Sequence, residues 1–132
     1  MNFDNMRKQC FYLTTVAIVV MTFSSLYAAG NSAVPNITLT TAKSDSVWMY
    51  LRGFGELIIN WGDGTNETYT IDNDGKQEYI HTYSESFEHT VTITGESITG
   101  LICSEMQITS LDVSNSPELQ YLFCSSNKLY NF

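Results

Sequence analysis

The chain has 132 residues, 13% of them aromatic and 15% charged, with 14 acidic residues against 6 basic ones and a formal net charge of −8. This hydrophobic content excludes a disordered chain, and so few basic residues exclude a surface that tracks a phosphate backbone, hence nucleic acid as a partner. The length allows one domain of ordinary size.

The N-terminus reads as an address label. Arg7 and Lys8 precede an apolar run from Phe11 to Phe23, and small or polar residues follow, ending in Ala28, Ala29 and Gly30. A basic start, a short apolar stretch and small residues describe a secretory signal peptide over 1–30, cleaved near Ala28 to Gly30. The run is shorter than the roughly 20 residues of a membrane-spanning helix; an uncleaved anchor is the other reading. The chain is therefore expected to be exported, secreted or held at the outer cell surface, and to meet the membrane only through its export signal. Cys10 precedes the apolar run and would leave with the signal. The two cysteines left, Cys103 and Cys124, are too few for a dense disulfide framework.

Short β-prone runs then follow one another, separated by turn residues, with no sustained helical period. Asn36–Thr41 is the first. Ser46–Leu51 is the second, with Val47, Met49 and Leu51 alternating against Trp48 and Tyr50. Gly53 and Gly55 punctuate before a third, Glu56–Trp61, whose Leu57, Ile58 and Ile59 read as a buried stretch. Trp61-Gly62-Asp63-Gly64-Thr65 is a tight turn: glycine tolerates positive φ, and Asp can bond the backbone just after it. Thr68–Ile71 is the fourth run, and Asp72-Asn73-Asp74-Gly75 is a hairpin turn with Asp-Gly at its centre. Gln77–Tyr83 and Glu88–Thr94 complete the set. Strands at this spacing suggest a sandwich or barrel.

Trp61-Gly62-Asp63-Gly64-Thr65, then His81-Thr82-Tyr83, then the closing strand Thr90–Gly95 resemble a PKD-type domain. The resemblance covers about 37–95 and implies an immunoglobulin-like β-sandwich over 31–95, in which Trp61 fills the centre, Gly62 and Gly64 allow the turn, Asp63 caps its amides, and His81 and Tyr83 lead into a late strand. Domains of that family are extracellular spacers or adhesion modules rather than enzymes.

The tail repeats itself. Ile98, Leu101, Cys103, Met106, Ile108 and Leu111 recur 21 residues later as Leu119, Leu122, Cys124, Asn127, Leu129 and Phe132. The second series, Leu119-x-x-Leu122-x-Cys124-x-x-Asn127-x-Leu129, has the leucine-rich-repeat pattern and period. Leu111-Asp112-Val113-Ser114 between the series resembles the LDVS-type repeats of bacterial surface proteins. The resemblance implies an incomplete leucine-rich-repeat solenoid over 96–132, about one and a half repeats, with apolar positions facing inward and Asn127 satisfying backbone groups at a turn. Met106 stands where Asn127 stands one repeat later, as terminal repeats are often atypical. Phe132 ends the second coil partway, so the expectation is a fragment of a longer array or a truncated product with no independent function.

Candidate chemistry is sparse. His81 and His89 are the only histidines. A catalytic reading would pair one with Asp63 or a serine, but no nucleophile motif is present and His81 already belongs to the H-x-Y pattern. Asp72, Asp74 and Gly75 form a partial D-x-D-G without the late acidic ligand of a calcium loop; weak surface calcium binding by Asp63, Glu67, Asp72 and Asp74 is the alternative to plain turns. Cys103 and Cys124 should lie on adjacent coils facing inward, as apolar fillers or as a disulfide. No catalytic residue, metal site or cofactor is expected. Trp48, Tyr50, Tyr69, Tyr79, Tyr83 and Phe87 lie on or near strands, and those on a solvent face could stack on sugars or anchor a protein. The expected function is a non-catalytic extracellular interaction or adhesion protein with a protein or glycan ligand. A carbohydrate-binding module, recognised by a solvent-facing row of Trp or Tyr, and an accessory domain of a secreted hydrolase are its rivals.

Overall fold

The period-two alternation of Ser46–Leu51 survives in the folded chain: Val47, Met49 and Leu51 are fully buried, whereas Trp48 and Tyr50 are half-buried. A computed structural model describes residues 36–72 and 75–130. The signal peptide expected over 1–30, Asn73 and Asp74 of the hairpin turn, and Phe132 lie outside the described residues. Seven strands follow in order: β1 (Ile37–Thr41), β2 (Ser46–Asn60), β3 (Asn66–Ile71), β4 (Gln77–Thr82), β5 (His89–Ile102), β6 (Ile108–Asp112) and β7 (Tyr121–Phe123). There is no helix among the described residues, and hence none long and apolar enough to cross a membrane.

Hydrogen bonding links all seven strands into one sheet, in the order β3-β2-β5-β1-β6, with β4 added on β2 and β7 on β5. All pairings are antiparallel except β5–β7. The two strands expected over 46–51 and 56–61 are one strand, β2. Gly53 and Gly55 bend it instead of ending it, and the register with β5 shifts on both sides of them. A Cβ at Gly53 would lie 1.9 Å from the Ser97 carbonyl oxygen, so only glycine lets the two backbones approach there.

The bend makes two layers. Val47 pairs with His81, and Trp61 lies fourteen positions beyond Val47, roughly 46 Å along a straight strand. The His81 and Trp61 rings nevertheless stack with centroids 4.8 Å apart. The first half of β2, with β4, the end of β5 and β7, thus folds over the second half, with β3, the start of β5, β1 and β6. Leu51 and Met49 from one layer and Leu57, Ile59 and Trp61 from the other meet in a single core, where each fully buried side chain contributes about 1.5–3 kcal/mol. This mainly β arrangement is consistent with a β-sandwich. Ile58, expected in the core, is exposed: the strand period turns it outward between Leu57 and Ile59.

β5 runs through positions 95 and 96 without a break, and the core continues past it through Leu101, Cys103, Met106, Ile108, Leu119, Leu122 and Cys124. The described tail forms one parallel strand pair and the turns around it. A leucine-rich-repeat solenoid is not shown among the described residues, where β7 pairs with β5 alone.

Candidate functional site

The Trp61-Gly62-Asp63-Gly64 turn and the His81-Thr82-Tyr83 segment come together at one end of the two layers. Gly62 (φ 85°) and Gly64 (φ 93°) adopt the positive φ the turn needs. Asp63 Oδ1 accepts the Thr65 amide at 2.9 Å, and its Oδ2 lies 2.7 Å from His81 Nε2. Burial pushes the Asp63 carboxyl up, but the bonds from His81 and Thr65 outweigh it and hold the group at about 2. The Tyr83 hydroxyl donates to the Trp61 carbonyl at 2.7 Å. Trp61 Nε1 and the Tyr69 hydroxyl both donate to Glu67 Oε2, at 2.7 and 2.6 Å. These two bonds, Tyr69 first, lower the Glu67 carboxyl, and burial with the Glu67 bond raises the Tyr69 phenol to about 12.

His81 is enclosed in this cluster, with Trp61 stacked on it and Tyr83 edge-on at 4.9 Å. His89 sits deeper, 2% exposed, stacked on Tyr83 at 3.7 Å and flanked by Phe87 at 4.5 Å. Both of its ring nitrogens are buried without a hydrogen-bond partner, so the ring acts as a flat filler. The arrangement clamps the two layers together. No group of His, Cys, Asp and Glu arranged to hold a metal ion occurs among the described residues.

At the other end, the 21-residue offset found in the sequence becomes physical register. In the β5–β7 pair Gly100 faces Tyr121, Leu101 faces Leu122, and Ile102 faces Phe123. Ser125 donates to Ser104 at 3.0 Å, and Lys128 to Gln107 at 2.9 Å, each across the same offset. The left-handed turn residues Glu105 (φ 60°) and Ser126 (φ 56°) match in the same way. Asn127 ties the two turns: its Oδ1 accepts the amides of Met106 and Ile108, at 2.9 and 3.1 Å. Its Nδ2 donates to the carbonyls of Cys103 and Cys124, at 2.7 and 2.9 Å. Leu119, Leu122 and Cys124 are buried as the pattern requires, and Leu129 packs half-buried against them. Cys103 is a free thiol, so the Cys103–Cys124 bridge considered from the sequence is not formed. Burial pushes that thiol up to about 12.

One surface belongs to neither motif. The sides of β4, β2, β5 and β7 that face away from the core form a continuous outer face. Across it, Ile80 stands beside Trp48, and Tyr50 beside Ile102, which stands beside Phe123. In the next row Arg52 flanks Gly100 and Gly100 flanks Tyr121. Ile80 is 57% exposed and Phe123 45%. Trp48 and Tyr50 meet edge to face at 5.6 Å. Lys76 Nζ lies 3.6 Å from the Tyr50 ring centre and the Arg52 guanidinium 5.3 Å from that of Tyr121. A hydrogen bond to Glu78 raises the Tyr50 phenol above its ordinary value. Between these groups lies a cleft of about 250 Å³ whose floor includes Gly100.

Of the aromatics marked in the sequence, Tyr50 and Trp48 lie along this face, Trp48 half-buried and packed against the core as Tyr69 is, while Tyr79 and Tyr83 are core. Phe87 is exposed elsewhere, beside His89. Arg52, Lys76, Ile102, Tyr121 and Phe123 were not singled out from the sequence. The signal for three of them was present, since Ile102, Tyr121 and Phe123 are the non-leucine positions of the repeat strands. Comparison with protein-family models, curated proteins and solved structures finds no match for this chain.

Proposed function

We propose that this chain is an exported, non-catalytic recognition protein, built as a PKD-like sandwich leading into the first coils of a leucine-rich-repeat array. It binds a protein or glycan ligand at the cell surface through the outer face of β4, β2, β5 and β7. The carrying observation is that face itself: exposed and half-buried Ile80, Trp48, Tyr50, Tyr121 and Phe123 form one patch. Clustered exposed apolar side chains on a folded surface mark interaction sites, and aromatics dominate their energetics. The 21-residue register across β5 and β7 supports the repeat reading. The enclosure of His81 by Trp61, Tyr83 and Asp63 supports a structural role for that histidine over a catalytic one.

A carbohydrate-binding module is the second reading, and the half-buried rings of Tyr50 and Tyr121, with Trp48 edge-on to Tyr50, favour it. The test is binding of the full chain to immobilised polysaccharides and extracellular-matrix proteins, beside a Tyr50→Ala/Tyr121→Ala variant. The expected result is retention on at least one surface, weakened about tenfold or more in the variant, with an unchanged melting temperature. Retention indifferent to these substitutions, or none on any surface, contradicts the proposal.

A further inference from the structure

We infer that the cleft between Tyr50 and Tyr121 binds a carboxylated sugar, such as a uronic acid unit of an acidic polysaccharide. This inference rests on the proposed recognition face and names the chemistry that face selects. Residues 31–132 hold four basic side chains, Lys43, Arg52, Lys76 and Lys128, against thirteen acidic ones. Two of the four, Arg52 and Lys76, line this one cleft. Lys43 pairs with Asp45, and Lys128 donates to Gln107. No ion pair to a carboxylate is formed by Arg52 or Lys76 among the described residues; each is seated on an aromatic ring instead. Glu78, the acidic neighbour, is held by the Tyr50 hydroxyl.

Two cations fixed over rings in a strongly acidic protein form a local site for one anion. A guanidinium matches a carboxylate in a planar, two-bond fork, and the ring-bound ammonium adds a point charge beside it. The aromatic walls suit a cyclic ligand, because their flat faces take an apolar ring face. A cleft of about 250 Å³ is of the order of one sugar ring and smaller than the usual range for a drug-sized ligand. It also opens on the face of the sheet, where strand backbones are already paired. An extended acidic peptide would find its ladder at an edge instead. The overall negative charge repels a polyanion elsewhere on the surface, so binding is confined to this cleft.

Affinity electrophoresis of the full chain in gels containing polygalacturonate, uncharged xyloglucan or polyglutamate tests the inference. The expected result is retardation by polygalacturonate alone, weakening as salt rises. Arg52→Gln and Lys76→Gln should each reduce it about tenfold, as expected for loss of a charge-assisted contact. Both variants should keep the melting temperature of the parent, since neither side chain enters the core. Equal retardation by xyloglucan, unchanged in the two variants, overturns the anionic ligand and leaves the recognition face standing. Equal retardation by polyglutamate overturns the sugar in favour of an acidic peptide. Absence of retardation in all three gels overturns the inference, and the matrix-protein surfaces then decide the broader reading separately.

Discussion

Asn127 stands one repeat after Met106, and its side-chain oxygen accepts the Met106 amide at 2.9 Å. The repeat thereby carries its own fastening: a side chain in the second turn closes backbone groups of the first. Asn127 makes four such bonds, two as acceptor and two as donor. Replacing it by Ala leaves two amides and two carbonyls without those partners. Each buried group left unsatisfied costs about 1–3 kcal/mol, with partial relief where water reaches it. We expect Asn127→Ala to lower unfolding stability by about 2–4 kcal/mol in urea titrations. A loss below the measurement error would show that the turns hold without it.

Gly53 and Gly64 both have positive φ, yet only Gly53 has backbone where a Cβ would go. Gly64 has nothing within 4 Å. Gly64→Ala should therefore cost only backbone strain, about 1–3 kcal/mol. Gly53→Ala adds a collision with the Ser97 carbonyl at the bend between the layers and should prevent folding or give insoluble protein. Calorimetry and solubility separate the two, and equal behaviour would mean that the close approach at the bend is not maintained.

His89 offers the opposite experiment. Its buried nitrogens have no partners, while its ring stacks on Tyr83. His89→Phe keeps the stacking and removes two polar groups, each costing about 1–3 kcal/mol when buried and unpaired. The variant should melt higher than the parent. A lower melting temperature would show that the pocket does not accept the slightly larger ring or that the nitrogens have partners after all.

Asp63 makes stability depend on pH. Its carboxyl is held at about 2 in the folded chain, below the ordinary value of 3.8. Folding therefore favours the ionised form, and this contribution is complete above about pH 4. It is lost as the pH falls through the folded-state value. Urea midpoints should drop between about pH 4 and pH 2, and Asp63→Asn should flatten that drop. An identical acid profile in the variant would remove Asp63 from the clamp.

Much of this was legible before folding. The alternation of Val47, Met49 and Leu51 against Trp48 and Tyr50 foretold their faces, and the WGDG turn foretold the positions of Trp61 and Asp63. The 21-residue period foretold the pairing of Leu101 with Leu122. The union of two runs into β2 was not legible, because Gly53 and Gly55 read equally as the end of a strand or as a bend within one. Ile58 was misread because a three-residue apolar run hides its period. The outer face was hidden for a different reason. It joins side chains from 48 to 123, and only the register of β2 on β5 and of β5 on β7 brings them together.

The central claim is that the sandwich residues and the repeat residues form one folded unit with one continuous face. Limited proteolysis of the purified chain, read by mass spectrometry, tests it most directly, because packed segments resist cutting and loosely held ones are removed first. The account predicts a resistant product running from near Asn36 to near Tyr130, since β5 crosses position 95 and the core extends to Cys124. Early removal of everything beyond about Gly95, leaving a stable core of 36–95, would contradict it and dissolve the face with it.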